Sequence, residues 1–243
     1  VPDLSQVRFV LHRPRSLDNV GAVARVVKNF GLGRLILVDP LSYSFERATK
    51  LAVGAEDVVA GMGMELNLPA AVSGCVLAVG TSSRHLPKRR SLLPDEAAET
   101  ILSAAGPVAL VFGDEKRGLS DDELSVCQAV CRIPAGEAQP SLNLAQAAAV
   151  LGYALVRAAV QRGPLDPSEP PAEPASLGEL AEMRASLQQL LLSAGFLNPQ
   201  NPAAILAELV APFERAGLTR REAQLWKTAL KKIGRSSAPR SDP

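Results

Sequence analysis

Three polar, glycine-containing segments are where this sequence could do chemistry. They are Asn19-Val20-Gly21-Ala22-Val23-Ala24-Arg25, then Val111-Phe112-Gly113-Asp114-Glu115-Lys116-Arg117-Gly118-Leu119, then Ile133-Pro134 followed after a six-residue spacer by Ser141-Leu142-Asn143-Leu144-Ala145. A fourth, Gly80-Thr81-Ser82-Ser83-Arg84, follows an apolar run. Glycines let the backbone come close to a ligand, and main-chain N–H and C=O groups there can read a purine edge without a charged side chain. The familiar nucleotide motifs are missing. Gly31-Leu32-Gly33 lacks the third glycine of a dinucleotide fingerprint, because position 36 is Ile. Gly113 and Gly118 have the spacing of a P-loop but lead into Leu119-Ser120 instead of Lys-Ser/Thr. No Gly-x-Ser-x-Gly elbow is present, so NAD, ATP and a hydrolase triad all go unsupported.

Each segment falls where a strand-like run gives way to a helix-like one, the end of an open α/β sheet at which ligands bind. Val7–Leu11, Leu35–Val38, Cys75–Val79, Val108–Phe112 and Ala129–Ile133 are apolar runs suited to strands covered on both faces. Val20, Val23, Ala24, Val27 and Phe30 recur at helical spacing, with Gly31 as a stop. The alternation predicts an α/β fold with a mainly parallel sheet over residues 1–162. A long helix of Ala, Leu and Val is expected from Leu142 to Gln161, buried in a core or an interface. Residues 163–175 are proline-rich and read as a semi-rigid linker. Beyond them Ser176-Leu177-Gly178-Glu179 and Thr219-Arg220-Arg221-Glu222 are capping boxes, a third being Ser120-Asp121-Asp122-Glu123. A small helical domain is expected over 176–235, with a disordered tail over 236–243.

The 243 residues are 47% hydrophobic and 21% charged, as in a folded soluble chain. A net charge of +1 makes no bulk case for nucleic acid, and an aromatic content of 4% argues against a sheet that stacks single-stranded bases. The average conceals a segregation: acidic residues gather between Asp95 and Glu123 and in the linker, basic ones elsewhere. Cys75, Cys127 and Cys131 are an odd number, and the pair four apart would share a helix face. With His12 and His85 isolated, no metal site is expected. Neither a signal peptide nor an apolar run of about 20 residues is legible, so the expectation is a cytoplasmic protein with no membrane partner.

Taken together, the segments resemble the three motifs of the TrmH-type branch of the SPOUT superfamily. These are RNA ribose 2′-O-methyltransferases with a trefoil knot that use S-adenosylmethionine, and the likeness covers about residues 7–160. The form Ser-Leu-Asn-Leu-Ala-Gln-Ala, the Ala-Val-Gly-Ala-Glu-Asp stretch at 52–57 and the appended helices are similar to the TrmJ-type tRNA (cytidine/uridine-2′-O)-methyltransferases, which modify nucleotide 32 of the anticodon loop. The resemblance implies a SPOUT-type, mainly parallel α/β sheet with a C-terminal knot, a small C-terminal α-helical domain, and a homodimer formed through the knot region.

It also implies roles. Arg25 is the catalytic arginine, Asn19 orients Arg25 or the ribose, and it could instead cap its own helix. Glu115 anchors its loop or Arg25, and it is the one carboxylate in the motifs with the look of a base. Ser141 and Asn143 belong to the active site or simply cap the long helix. Thr81, Ser82, Gly113, Ile133 and Leu142 surround the S-adenosylmethionine. A guanidinium pKa above about 12 makes orientation of a phosphate and stabilisation of an alkoxide the cheaper role for Arg25, with base catalysis the alternative. RNA contacts are expected from Arg13 and Arg15, from Arg84, Arg89 and Arg90, and from Arg221, Lys227 and Lys231 in the basic last helix. A ribosomal-RNA 2′-O-methyltransferase of the resistance kind and a catalytically silent RNA-binding relative are the alternatives.

Overall fold

A computed structural model describes residues 3–41, 44–162, 173–198 and 200–236. The chain divides into two compact units, residues 1–170 and 171–243. Apart from residues 173–175 and Ser236, the expected linker and tail lie outside the described residues.

The first unit is built on a seven-stranded sheet. In chain order its elements are β1 (Leu4–His12), α1 (Leu17–Asn29), β2 (Leu32–Val38), α2 (Phe45–Leu51), α3 (Glu56–Ala60), β3 (Gly63–Glu65), α4 (Leu68–Val72), β4 (Leu77–Thr81), β5 (Ser91–Leu92), α5 (Pro94–Leu102), β6 (Val108–Phe112), α6 (Asp121–Leu124), β7 (Ala129–Cys131) and α7 (Leu144–Arg162). The strand order is β3-β2-β1-β6-β4-β7-β5 and every pairing is parallel. All strand ends that lead into helices therefore face one edge, where the polar motifs gather. The central strand β6 is buried along its whole length, and Phe9 of β1 packs on Phe112 of β6 with ring centroids 5.1 Å apart. Burying a side chain of that kind contributes roughly 1.5–3 kcal/mol.

Apolar runs located five of the seven strands within three residues. The two short ones, β3 and β5, carry no periodicity that a sequence can show. Gly31 has φ +61°, the left-handed conformation that ends α1 as expected. The long helix begins at Leu144 and not at Leu142, because Asn143 caps it: the Asn143 side chain accepts from the Ala145 N–H at 2.8 Å. By length and composition α7 is apolar enough to cross a membrane, yet Leu144, Ala148, Leu151 and Leu155 are core residues packed towards α1 and α5. The expectation for the cysteines fails. Cys131 ends β7 and Cys127 lies in the turn before it, so no helix face unites them, and all three thiols are buried.

In the second unit three helices, α8 (Leu177–Ser193), α9 (Ala203–Ala216) and α10 (Arg220–Ser236), close on a small core of Leu197, Leu206 and Val210. Both expected capping boxes form: Ser176 and Glu179 exchange bonds at 2.8 and 3.2 Å, as do Thr219 and Glu222 at 2.8 and 3.3 Å. Arg220 pairs with Glu179 at 2.8 Å, and Phe213 meets the edge of Trp226 at 5.2 Å.

Candidate active site

A cavity of about 270 Å³ opens beyond the C-terminal ends of β4, β6 and β7. Thr81 and Ser82 leave β4, the loop Gly113–Gly118 leaves β6, Ile133 follows β7, and Ser141 and Leu142 precede α7. These segments are up to sixty residues apart in the chain and meet only because the sheet order sets β4 between β6 and β7. Apolar walls, from Phe112, Ile133, Leu142 and Leu144, alternate with main-chain groups. Such a lining suits the flat faces and polar edge of a purine nucleoside. Cys131 also lines it, but burial pushes its thiol up to about 12 and leaves an inert wall. Among the described residues no group of three or more His, Cys, Asp or Glu is placed to hold a metal.

The β6 loop is tightly folded. A methyl at Gly113 would run into the main chain of Gly118 and Leu119, so only glycine lets the loop return on itself. Asp114 holds the turn from inside: one carboxylate oxygen accepts from the N–H groups of Lys116 and Arg117 at 2.7 and 3.2 Å, and the Gly118 N–H reaches the Asp114 carbonyl at 2.7 Å. Its other oxygen takes Nε of Arg15 at 2.7 Å. Asp114 is only 3% exposed. Burial alone would raise its pKa, but the Lys116 N–H, the Arg15 guanidinium and the Arg117 N–H outweigh that and hold it below the ordinary value.

Glu115 turns the other way and ties the loop to α1. It accepts from the N–H groups of Arg15 at 2.8 Å and Ser16 at 3.0 Å, and from Nδ2 of Asn19 at 2.9 Å. Asn19 in turn accepts from Nδ2 of Asn143 at 3.0 Å. One continuous chain of bonds thus joins all three motifs. The helix cap of α1 is Ser16, so Asn19 is not an N-cap, whereas Asn143 both caps α7 and reaches Asn19. Glu115 anchors the Arg15–Ser16 turn and not Arg25. Burial would raise its carboxyl pKa, but Asn19 and the N–H groups around it outweigh that and hold it below the ordinary value.

Arg25 is not part of this cluster. It lies on the exposed face of α1, does not line the cavity, and has no partner among the described residues. The basic residues divide similarly. Arg84 donates to the Leu119 carbonyl at 2.8 Å and faces Asp121 at 3.0 Å, while Arg89 donates to the Leu124 and Asp121 carbonyls at 2.9 and 3.1 Å. Arg90 reaches Thr100, and Arg13, at the left-handed φ of +53°, faces Asp39 at 3.1 Å. In the second unit Lys227 pairs with Glu182, Lys231 adds its charge beside Glu182, and Arg221 is exposed. Sequence reasoning overlooked Asp114, and it overlooked Lys116 and Arg117, exposed cations on the cavity rim. Their place inside a glycine-bounded loop was the available signal.

Residues 6–153 match the SpoU rRNA methylase family. The chain belongs to that family. The matched span covers the whole cavity, from Thr81 to Ala147, together with Asn19 and Asn143, and stops short of the second unit. Relatives of this SpoU methylase extend further. The tRNA (cytidine/uridine-2′-O-)-methyltransferase TrmJ of Cronobacter sakazakii is 35% identical over 95% of this chain and 96% of its own length. The tRNA (cytidine/uridine/adenosine-2′-O-)-methyltransferase TrmJ of Pseudomonas aeruginosa is 35% identical over 98% and 99%. Among solved structures, TrmJ from Z. mobilis superposes with a TM-score of 0.78 at 26% identity, covering 96% of this chain and 99% of that one. The α/β sheet with its added helices is therefore the architecture this methylase shares with TrmJ.

Proposed function

We propose that this chain is an S-adenosylmethionine-dependent tRNA ribose 2′-O-methyltransferase of the TrmJ type, acting on cytidine or uridine at nucleotide 32 in the cytoplasm. The observation that carries the reading is the convergence of all three motifs, Asn19, Glu115 and Asn143 hydrogen-bonded in series, beside a nucleoside-sized cavity. The family match ends at residue 153 and does not separate tRNA from ribosomal RNA, but the TrmJ relatives align through the second unit as well. That favours tRNA.

In this reading Thr81, Ser82, Gly113, Ile133 and Leu142 hold the cofactor, whose sulfonium supplies an electrophilic methyl group when bound. The chain must then set a ribose hydroxyl in line and ease loss of its proton. Asn19, fixed from both sides by Glu115 and Asn143, presents a rigid end of α1 to the ribose. Arg25 orients the target phosphate and stabilises the developing alkoxide. Because it does not line the cavity of its own chain, we assign it to the partner's site in a homodimer formed through the knot region, Arg25 of one subunit completing the loops of the other. Arg13, Arg15, Arg84, Arg89, Arg90, Arg221, Lys227 and Lys231 were the residues expected to hold the RNA. The exposed Arg221 has its charge most available, with Lys116 and Arg117 added on the cavity rim.

The test is incubation with methyl-labelled S-adenosylmethionine and purified tRNA or ribosomal RNA, followed by mapping of the 2′-O-methyl position. Label at nucleotide 32 of tRNA is the expected result. Label in ribosomal RNA alone would overturn the tRNA assignment, and cofactor binding with no label in any RNA would make the protein a silent RNA-binding relative.

A further inference from the structure

Asp114 lines the cavity and is among the most constrained carboxylates of the described residues. Burying a carboxylate is costly unless it is paired and its oxygens are satisfied. Here one oxygen is filled by two N–H groups of its own loop and the other by Arg15. The adjacent Glu115 grips the same turn through the N–H groups of Arg15 and Ser16. Two consecutive loop residues therefore hold one dipeptide, Asp114 by the side chain of Arg15 and Glu115 by its backbone. That dipeptide opens α1, which carries Asn19 and Arg25, whereas the loop lines the cavity. An exposed arginine pair contributes little, but this one is anchored on a residue only 3% exposed.

We propose that Arg15 and Asp114 are a positioning pair that fixes the cavity loop against the start of α1 and so sets the alignment between the methyl-donor side of the site and the acceptor side. The kinetic part rests on the methyltransferase reading above. Arg15 is thereby assigned to the enzyme's own frame and not to RNA, and the order of residues 116–118 depends on it.

The experiment uses the full chain with Arg15→Ala, Asp114→Asn and the double variant. Asparagine keeps an oxygen for the Lys116 and Arg117 N–H groups and replaces the oxygen that Arg15 meets with an amide NH2, which carries no charge and cannot accept from Nε. Each single variant is expected to slow single-turnover methylation of tRNA by about 10- to 100-fold, as misalignment of reacting groups does, while KM for tRNA moves less than about 3-fold. The double variant should be no slower than the worse single one, because both remove the same interaction. A rise in KM on Arg15→Ala, with Asp114→Asn unaffected and the two effects multiplying, would show an RNA contact and overturn the proposal. Hydrogen exchange of the RNA-free protein gives a second reading. The amides of residues 116–118 should exchange faster in Arg15→Ala, and unchanged exchange would overturn the pair even if no RNA proves to be a substrate.

Discussion

The bonded cluster that ends at Asn19 and the free Arg25 lie on one helix, α1, yet they are opposite in construction. Around the cavity nearly every polar group is held by another: Asp114 by three donors, Glu115 by three, Asn19 by Glu115 and Asn143. Arg25 stands on the exposed face of α1 with no partner among the described residues. A main-chain cradle must keep its shape without ligand, since a peptide group out of place by an ångström no longer reads anything. A long flexible cation can wait for its phosphate. The difference teaches that the cavity is held in shape within one chain whereas Arg25 is left unpartnered among the described residues; on the proposed reading the first is the donor side of the site and the second belongs to its acceptor side.

The largest test of this contrast is Arg25→Ala. Single-turnover methylation should fall by about 10²–10³-fold, the loss usual for a group that stabilises developing charge. Stability in urea should change by no more than about 0.5 kcal/mol, as for a surface substitution without partners, and cofactor binding by calorimetry should be unchanged. Mixed with a Gly113→Ala chain, whose added methyl has no room in the loop, it should regain activity in verified heterodimers. If Arg25→Ala instead impaired cofactor binding, the separation into two sides would be lost.

Next in size is Glu115→Ala. It leaves the N–H groups of Arg15 and Ser16 and Nδ2 of Asn19 without their acceptor, which costs roughly 1–3 kcal/mol for each buried group left unpaired. Here stability and activity should fall together, in contrast with Arg25→Ala, and urea titration beside single-turnover rates would show it. Because the native Glu115 pKa lies below its ordinary value, its contribution is present above about pH 4 and is lost as pH falls through that native pKa. The wild-type advantage over the alanine variant should shrink in that acid window. An advantage that held constant to pH 3 would mean that Glu115 carries no linkage.

How much of this was legible depends on which physical signal each feature leaves. Val108–Phe112 shows as an unbroken apolar run, because a strand covered on both faces buries every residue, and the helix from Leu17 shows in the helical spacing of its apolar residues. The capping boxes at Ser120, Ser176 and Thr219 show because their chemistry lies within four residues. Bonds between distant segments leave no such trace. Nothing in Asp114 announces Arg15 ninety-nine residues earlier, so an arginine expected to contact RNA is found as the partner of a buried anion. Arg84 and Arg89 were likewise read as free positive charge, although each gives donors to the carbonyls around α6. The strands β3 and β5, three and two residues long, are held by pairing that only the folded sheet supplies.

The smallest expected effect comes from His12, at the end of β1 and only 9% exposed. Its Nδ1 is buried without a hydrogen bond, 3.4 Å from a carboxylate oxygen of Glu123. Burial lowers its pKa below the ordinary 6.5; Glu123 and Asp39 oppose this, while Arg13 and Arg117 reinforce it. The folded chain thus refuses a proton that the unfolded chain accepts at about pH 6.5, so stability is full above that value and falls as pH drops towards the native pKa. One proton gives a slope of at most about 1.4 kcal/mol per pH unit. Urea midpoints taken from pH 7.5 to 5 should decline more steeply for the wild type than for His12→Gln, which cannot titrate. The Arg25→Ala curve should run parallel to the wild type, because that substitution leaves His12 and the groups around it in place. If His12→Gln also ran parallel, the native imidazole would take up its proton as readily as the unfolded one, an ion pair with Glu123 offsetting the burial.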